Sequence, residues 1–253
     1  MPDHLQSFQL DFLTPDLFQK IVKKAITKGI QIPAAHGNYI NFHMGDMILV
    51  IRTALDPEKG LDFITGFDSH AKGCCVWDCT IEKEQEQDII DVTAKTLLIE
   101  KNGEVFPLPL INGDILPSYE KGTVFKAQVA AYPETLAFYE TAEEAQKACG
   151  EHFNKIKAAD GAEVNLCGQA AGFRRAETTY MGGVLTRFLV GLIHTEQGDV
   201  EIVFPDKLVP EGAEEMLCPG AYVQMTGELA ANPAILDLEQ GIPTAKTEEA
   251  ADE

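Results

Sequence analysis

What the sequence lacks narrows its class first. No apolar run approaches the roughly 18 to 20 residues that a membrane-spanning helix needs. The N-terminus carries Asp3 and His4 where a secretory leader would place basic residues before an apolar stretch. The chain is therefore expected to be soluble and cytoplasmic, with no membrane partner. Its six cysteines, at 74, 75, 79, 149, 167 and 218, are too few and too irregularly spaced for a secreted disulfide framework and read as reduced thiols. Positive charge is also scarce: 20 Lys and Arg stand against 40 Asp and Glu, a formal charge of -20 over 253 residues. Residues 31–140 carry 8 basic against 17 acidic side chains, and residues 161–240 carry 4 against 12, so neither stretch is a basic island. A field of this sign repels phosphate polymers and attracts basic partners.

Catalytic signatures are missing as well. There is no G-x-S-x-G, no cysteine in an electropositive setting and no histidine with an evident orienting partner. Gly182-Gly183 precedes a strand pattern and Gly168 to Gly172 lies within one, whereas a phosphate cradle needs a helix N-terminus. These absences point away from an enzyme and call for no cofactor.

What is present is a globular composition, 45% hydrophobic and 24% charged. A first helix is punctuated by Thr14 as N-cap, Pro15 in the first turn, Asp16 near the positive end of the dipole and Gly29 as a stop. Leu17, Phe18, Ile21, Val22 and Ala25 form its apolar face, with Lys20, Lys23, Lys24 and Lys28 opposite as a solvated side. Thr141 followed by Glu144 forms a capping box for a second helix, expected to run to about Ala159 before Asp160-Gly161.

The rest reads as β. Three apolar hairpins close on polar turns ending in glycine: Met47 to Ala54 turning at 56–60, Ile89 to Glu100 turning at 101–103, and Val184 to His194 turning at 196–198. The last two are each followed by a glycine-led alternating strand, from Gly122 and from Gly220. Phe125, Ala127 and Val129 answer Val223, Met225 and Gly227 at an offset of 98, and Ala131-Tyr132-Pro133 answers Ala231-Asn232-Pro233 at an offset of 100. The two-residue slip is what a bulge or a longer turn produces. The chain thus reads as an internal duplication of a small β unit.

Within 161–240 the order is a strand (Val164 to Arg175), a hairpin (Val184 to Phe204), a polar crossing segment of helix-like composition (Asp206 to Leu217) and two closing strands (Ala221 to Ala230, Ile235 to Glu239). This order resembles the OB-fold, a five-stranded barrel with a helix or loop between its third and fourth strands. The match is looser over 73–140. The resemblance implies tandem small antiparallel β-barrels in a mainly β protein, divided as an N-terminal helical segment (1–30), a β-rich domain (31–140), a connecting helix (141–160), an OB-like barrel (161–240) and a disordered acidic tail (241–253). It also implies a binding face on the second and third strands. Carried over, that face draws on Arg174, Arg175, Tyr180, Arg187 and Phe188, with Asn232 on its rim. Such a face offers stacking and phosphate contacts for single-stranded nucleic acid. The surrounding acidity favours instead a non-catalytic docking or assembly role with a protein partner, with small-ligand binding or an unrecognised enzyme as a third reading.

The other clusters have plain readings. Cys75, Trp77, Cys79 and Ile81 alternate onto one strand face, so the group of His70, Cys74, Cys75 and Cys79 reads as core and not as a metal site. His36 and His43 flank a turn into a strand. Glu82, Glu84, Glu86 and Asp88 would repel on one strand face and are expected in a solvated loop.

Overall fold

The computed structural model describes residues 4–34, 37–56, 61–73, 75–85, 95–116 and 118–233. The protein is mainly β, with its strands in two sheets. Helix α1 (Pro15–Lys28) starts where its punctuation places it: the Thr14 hydroxyl accepts from the Leu17 N–H at 3.4 Å. The Gly29 N–H closes it on the Ala25 carbonyl at 2.7 Å. Ile21, Val22 and Ala25 are buried, the outcome an apolar stripe at helical spacing requires. Helix α2 (Ala142–Cys149) is capped by Thr141 as expected but is shorter than the reach to Ala159. Gly150, at φ +56°, takes the chain out of the helix, and 156–158 is a strand.

The smaller sheet is an antiparallel meander of β1 (Ile30–Pro33), β2 (Gly37–Met44), β3 (Met47–Asp56) and β4 (Leu61–Ala71), in that order. The β3–β4 hairpin was legible from its pattern; β1 was not. Among the described residues the larger sheet has nine strands: β5 (Val76–Glu84), β6 (Lys95–Lys101), β7 (Glu104–Leu110), β8 (Val124–Tyr139), β9 (Ile156–Ala158), β10 (Glu163–Tyr180), β11 (Gly183–Thr195), β12 (Gly198–Phe204) and β13 (Tyr222–Asn232). The order β11-β12-β8-β5-β6-β7-β13-β10-β9 carries two further pairings, β10 with β11 and β8 with β13. The crossing segment from Asp206 to Leu217 holds two short 3-10 turns, Asp206–Leu208 and Glu214–Met216, in place of a continuous helix. The closing strand expected at 235–239 and the acidic tail lie outside the described residues, as do Cys74, His36, Glu86 and Asp88.

β8 and β13 run antiparallel through the middle of this sheet, from Tyr139 opposite Tyr222 to Gln128 opposite Asn232, with Ala130 facing Ala230. Gly227 passes so close to the Tyr132 carbonyl and Pro133 that a Cβ there would strike backbone. Alternation along the strands separates two cores. Leu189, Ile193, Ile202 and Phe204 join Trp77, Phe106, Leu108 and Leu229 in the first. Phe188, Val190 and Val203 point the other way and pack with Ala130, Ala230, Tyr132 and the β2–β3 residues Tyr39, Ile48 and Ile51 in the second.

The Cys75, Trp77, Cys79 and Ile81 face is buried as its pattern requires, and burial pushes the Cys79 thiol up to about 12. β5 extends through Glu84, so Glu82 and Glu84 sit in a strand and not in a loop. Lys121 pairs with Glu82 and Lys95 with Glu84, which relieves the repulsion.

Candidate functional site

At one end of the second core the N-terminal segment lies on β4. A 3-10 turn (His4–Gln6) stacks the His4 ring on Tyr132, centroids 4.0 Å apart. His4 Nδ1 meets Asp68 Oδ1 at 2.9 Å, and the same oxygen accepts the Ser69 N–H at 2.7 Å. Arg52 Nη1 donates to Asp68 Oδ2 at 3.4 Å. His4 Nε2 faces Glu228 Oε2 at 3.8 Å. The Tyr132 hydroxyl accepts the Ala71 N–H at 3.1 Å, and His70 Nδ1 contacts the Ala71 carbonyl at 2.7 Å. All of these side chains are buried.

Burial alone would pull His4 down, but the Asp68 charge and hydrogen bond, helped by Glu228, outweigh it and raise the imidazole to about 9. Burial pushes Asp68 up, and its contacts with His4, Arg52 and the Ser69 N–H more than reverse that, leaving the carboxyl below its ordinary range. His70 has no carboxylate partner of this kind, so burial takes it down to about 4. Burial drives the Tyr132 phenol well above its usual value. At neutral pH the group is thus a charged His4–Asp68–Arg52 cluster beside a neutral His70. An imidazolium pinned in this way is a poor general base. A cleft of about 440 Å³ opens beside it, with Tyr132, Pro133, Pro205 and Leu208 as walls and Glu134 and Lys207 at the mouth.

The side chains singled out from sequence fall on both faces of β10 and β11. Arg174 lies 3.4 Å from Asp46 and 4.0 Å from Glu201, Arg175 is 3.3 Å from Asp206, and Arg187 Nε donates to Glu177 at 2.9 Å. Tyr180 donates to the Lys20 carbonyl at 3.4 Å and lies under the Lys24 ammonium. Phe188 is buried edge-on to Phe8, centroids 4.9 Å apart. Asn232 is at the far end of β13, accepting from Asn112 at 2.9 Å in a buried pair. The chain's own N-terminal segment covers part of this face: the Thr186 hydroxyl donates to the Phe8 carbonyl and the Gln9 amide to the Arg187 carbonyl, both at 2.7 Å. The β2–β3 turn adds the Asp46 N–H to the Glu177 carbonyl at 3.0 Å.

Sequence reasoning missed a groove on the rim of this face. β12 begins to pair with β11 only at Leu189, opposite Phe204. From Gly183 to Phe188, β11 has β10 on one edge and no strand among the described residues on the other. A groove runs along that edge between Val184–Arg187 and Gln9, Phe12 and Leu13. Phe12 and Met181 beside it are 64% and 78% exposed. The Met181-Gly182 turn, both residues at positive φ, holds the apolar tip out. No local sequence signal joins residue 12 to residue 184, so the groove was not visible in the chain. Among the described residues no group of three or more His, Cys, Asp or Glu could hold a metal ion. No family model, curated protein or solved structure matches the chain.

Proposed function

We propose that the protein is a non-catalytic docking module that takes an extended peptide segment of a protein partner as an added strand beside residues 183–188. The observation that carries this reading is the one-sided edge of β11, bordered by exposed Phe12, Met181 and Val184. An added strand gains main-chain hydrogen bonds from such an edge, and apolar side chains at alternate positions enter the groove. The net charge of -20 favours a peptide with basic flanks. The competing single-stranded nucleic-acid reading loses its support from the arginines, since Arg174, Arg175 and Arg187 each have an acidic partner.

The architecture we infer behind this role is a pair of OB-like barrels that share their long strands. Support comes from two five-strand circuits of pairing, β10-β11-β12-β8-β13 and β5-β6-β7-β13-β8, each returning to its first strand. Each circuit contains one parallel step, β12 to β8 and β7 to β13.

Selection from a displayed peptide library, followed by mapping of the winner on the protein's amide resonances, tests the docking role. The expected result is perturbation centred on 183–188, with affinity cut more than about tenfold by Val184→Asp, which places an unpaired carboxylate against an apolar ligand. Arg174→Ala should leave it unchanged. Failure to select any peptide, or salt-sensitive binding of a labelled single-stranded oligonucleotide that Arg174→Ala removes, would overturn the reading.

A further inference from the structure

We infer that the cleft beside His4 is a binding site for a neutral, hydroxyl-rich small molecule of mono- or disaccharide size. Its lining residues are distinct from those of the β11 groove, and the two meet where the Lys207 ammonium lies over the Phe12 ring. Two charged side chains reach the inner end of this cleft, His4 at 6% exposure and Glu228 at 8%. His4 Nε2 and Glu228 Oε2 are buried and face each other as an ion pair, but neither has a hydrogen-bond partner among the described residues, although His4 Nδ1 is satisfied by Asp68. Buried polar atoms left in this state normally have a partner, whether protein, water or ligand.

The geometry selects the partner's chemistry. The two atoms lie 3.8 Å apart and carry opposite roles, since the imidazolium N–H donates and the carboxylate oxygen accepts. One oxygen can sit about 2.8 Å from both. An anion there would meet the Glu228 carboxylate and a cation would meet His4, so any ion at the inner end faces a like charge. A hydroxyl accepts from one and donates to the other without charge. The walls continue the match, because Pro133, Pro205 and Leu208 offer apolar surface to the C–H face of a sugar ring. At the mouth, Glu134 and Lys207 can each take a further hydroxyl. A volume of about 440 Å³ is ample for one ring and lies within the usual range for small-molecule sites.

Saturation-transfer NMR with glucose, galactose, mannose, N-acetylglucosamine and lactose tests the inference, with glutamine, glycylglycine and inorganic phosphate as controls. At least one sugar is expected to receive saturation. Leu208→Trp, which fills the cleft from its half-buried wall, should abolish the signal. Glu228→Gln should weaken binding by about tenfold, the scale of losing one charge-assisted hydrogen bond. Thermal unfolding of both variants separates loss of the site from loss of the fold, and the leucine variant leaves the charged cluster in place. No transfer to any sugar, equal transfer in the leucine variant while it remains folded, or preference for glutamine, the dipeptide or phosphate would each overturn the inference.

Discussion

The two large cores among the described residues are built on opposite faces of the same strands, yet they are specified differently. The core within the nine-stranded sheet is filled by alternate residues of its strands, Leu189 and Ile193 on β11, Val200, Ile202 and Phe204 on β12, and needs only the period of two to be correct. The core between that sheet and the β1–β4 sheet ends in the His4–Asp68–Arg52 group, which joins the N-terminal turn, β3 and β4. Apolar packing alone leaves a short terminal segment free to slide. A buried charge that is satisfied in one arrangement does not. The covering of the outer face, and with it the shape of both the cleft and the β11 groove, therefore hangs on a few polar contacts.

The largest expected effect tests that dependence. Asp68→Ala leaves His4 and Arg52 buried without their carboxylate and should cost roughly 3 to 5 kcal/mol in urea unfolding; a loss below about 1 kcal/mol would place the cluster in solvent, where such pairs contribute little. In the other core, Leu229→Ala removes buried methyl groups and should cost about 3 kcal/mol. The same loss is expected at every pH, because Leu229 belongs to a core cluster made of apolar side chains.

pH separates the two regions further. His4 titrates near 9 in the folded chain against an ordinary 6.5, so its stabilisation is fully present below pH 6.5 and is lost as pH rises through 9. His70, held near 4, contributes in the opposite sense: its share is present above pH 6.5 and is lost as pH falls toward 4. Stability should therefore peak near pH 6.5 and fall by about 2 to 3 kcal/mol toward pH 9. Urea titrations across this range should show the alkaline limb flattened in His4→Gln, and an unchanged limb would assign the loss elsewhere. The smallest effect is expected at the surface. Arg187→Ala breaks an exposed pair with Glu177 and should change stability by less than about 1 kcal/mol.

Much of this fold was legible because its signals are local. The cap at Thr14, the turns at Asn102-Gly103 and Gln197-Gly198 and the buried face from Cys75 to Ile81 all follow from residues near one another in the chain. The shortened α2 turned on Gly150, a glycine inside an otherwise helical pattern whose role as a stop depends on its φ. The site was less legible. Arg174, Arg175 and Arg187 were recognisable as cations on two strands; Glu177, the partner of Arg187, lies across the same hairpin, but Asp46 and Asp206, the partners of Arg174 and Arg175, come from other elements. His4 and Glu228 are 224 positions apart, and nothing periodic links them. Long-range contacts between polar residues leave no pattern in a single sequence, whereas alternation does.

The docking reading requires that the edge of β11 along residues 183–188, which the N-terminal segment touches at Thr186 and Arg187 but with which no described strand pairs, accepts a partner's strand. Amide hydrogen exchange across β11, with and without a selected peptide, tests this most directly. On the docking reading, new protection is expected on peptide binding at the Arg187 amide, which faces away from β10, with Thr186 already bonded toward β10 and 189–195 already slow because β12 covers that edge. Protection appearing instead along 189–195, or at 183–188 only when a single-stranded oligonucleotide is added, would contradict it.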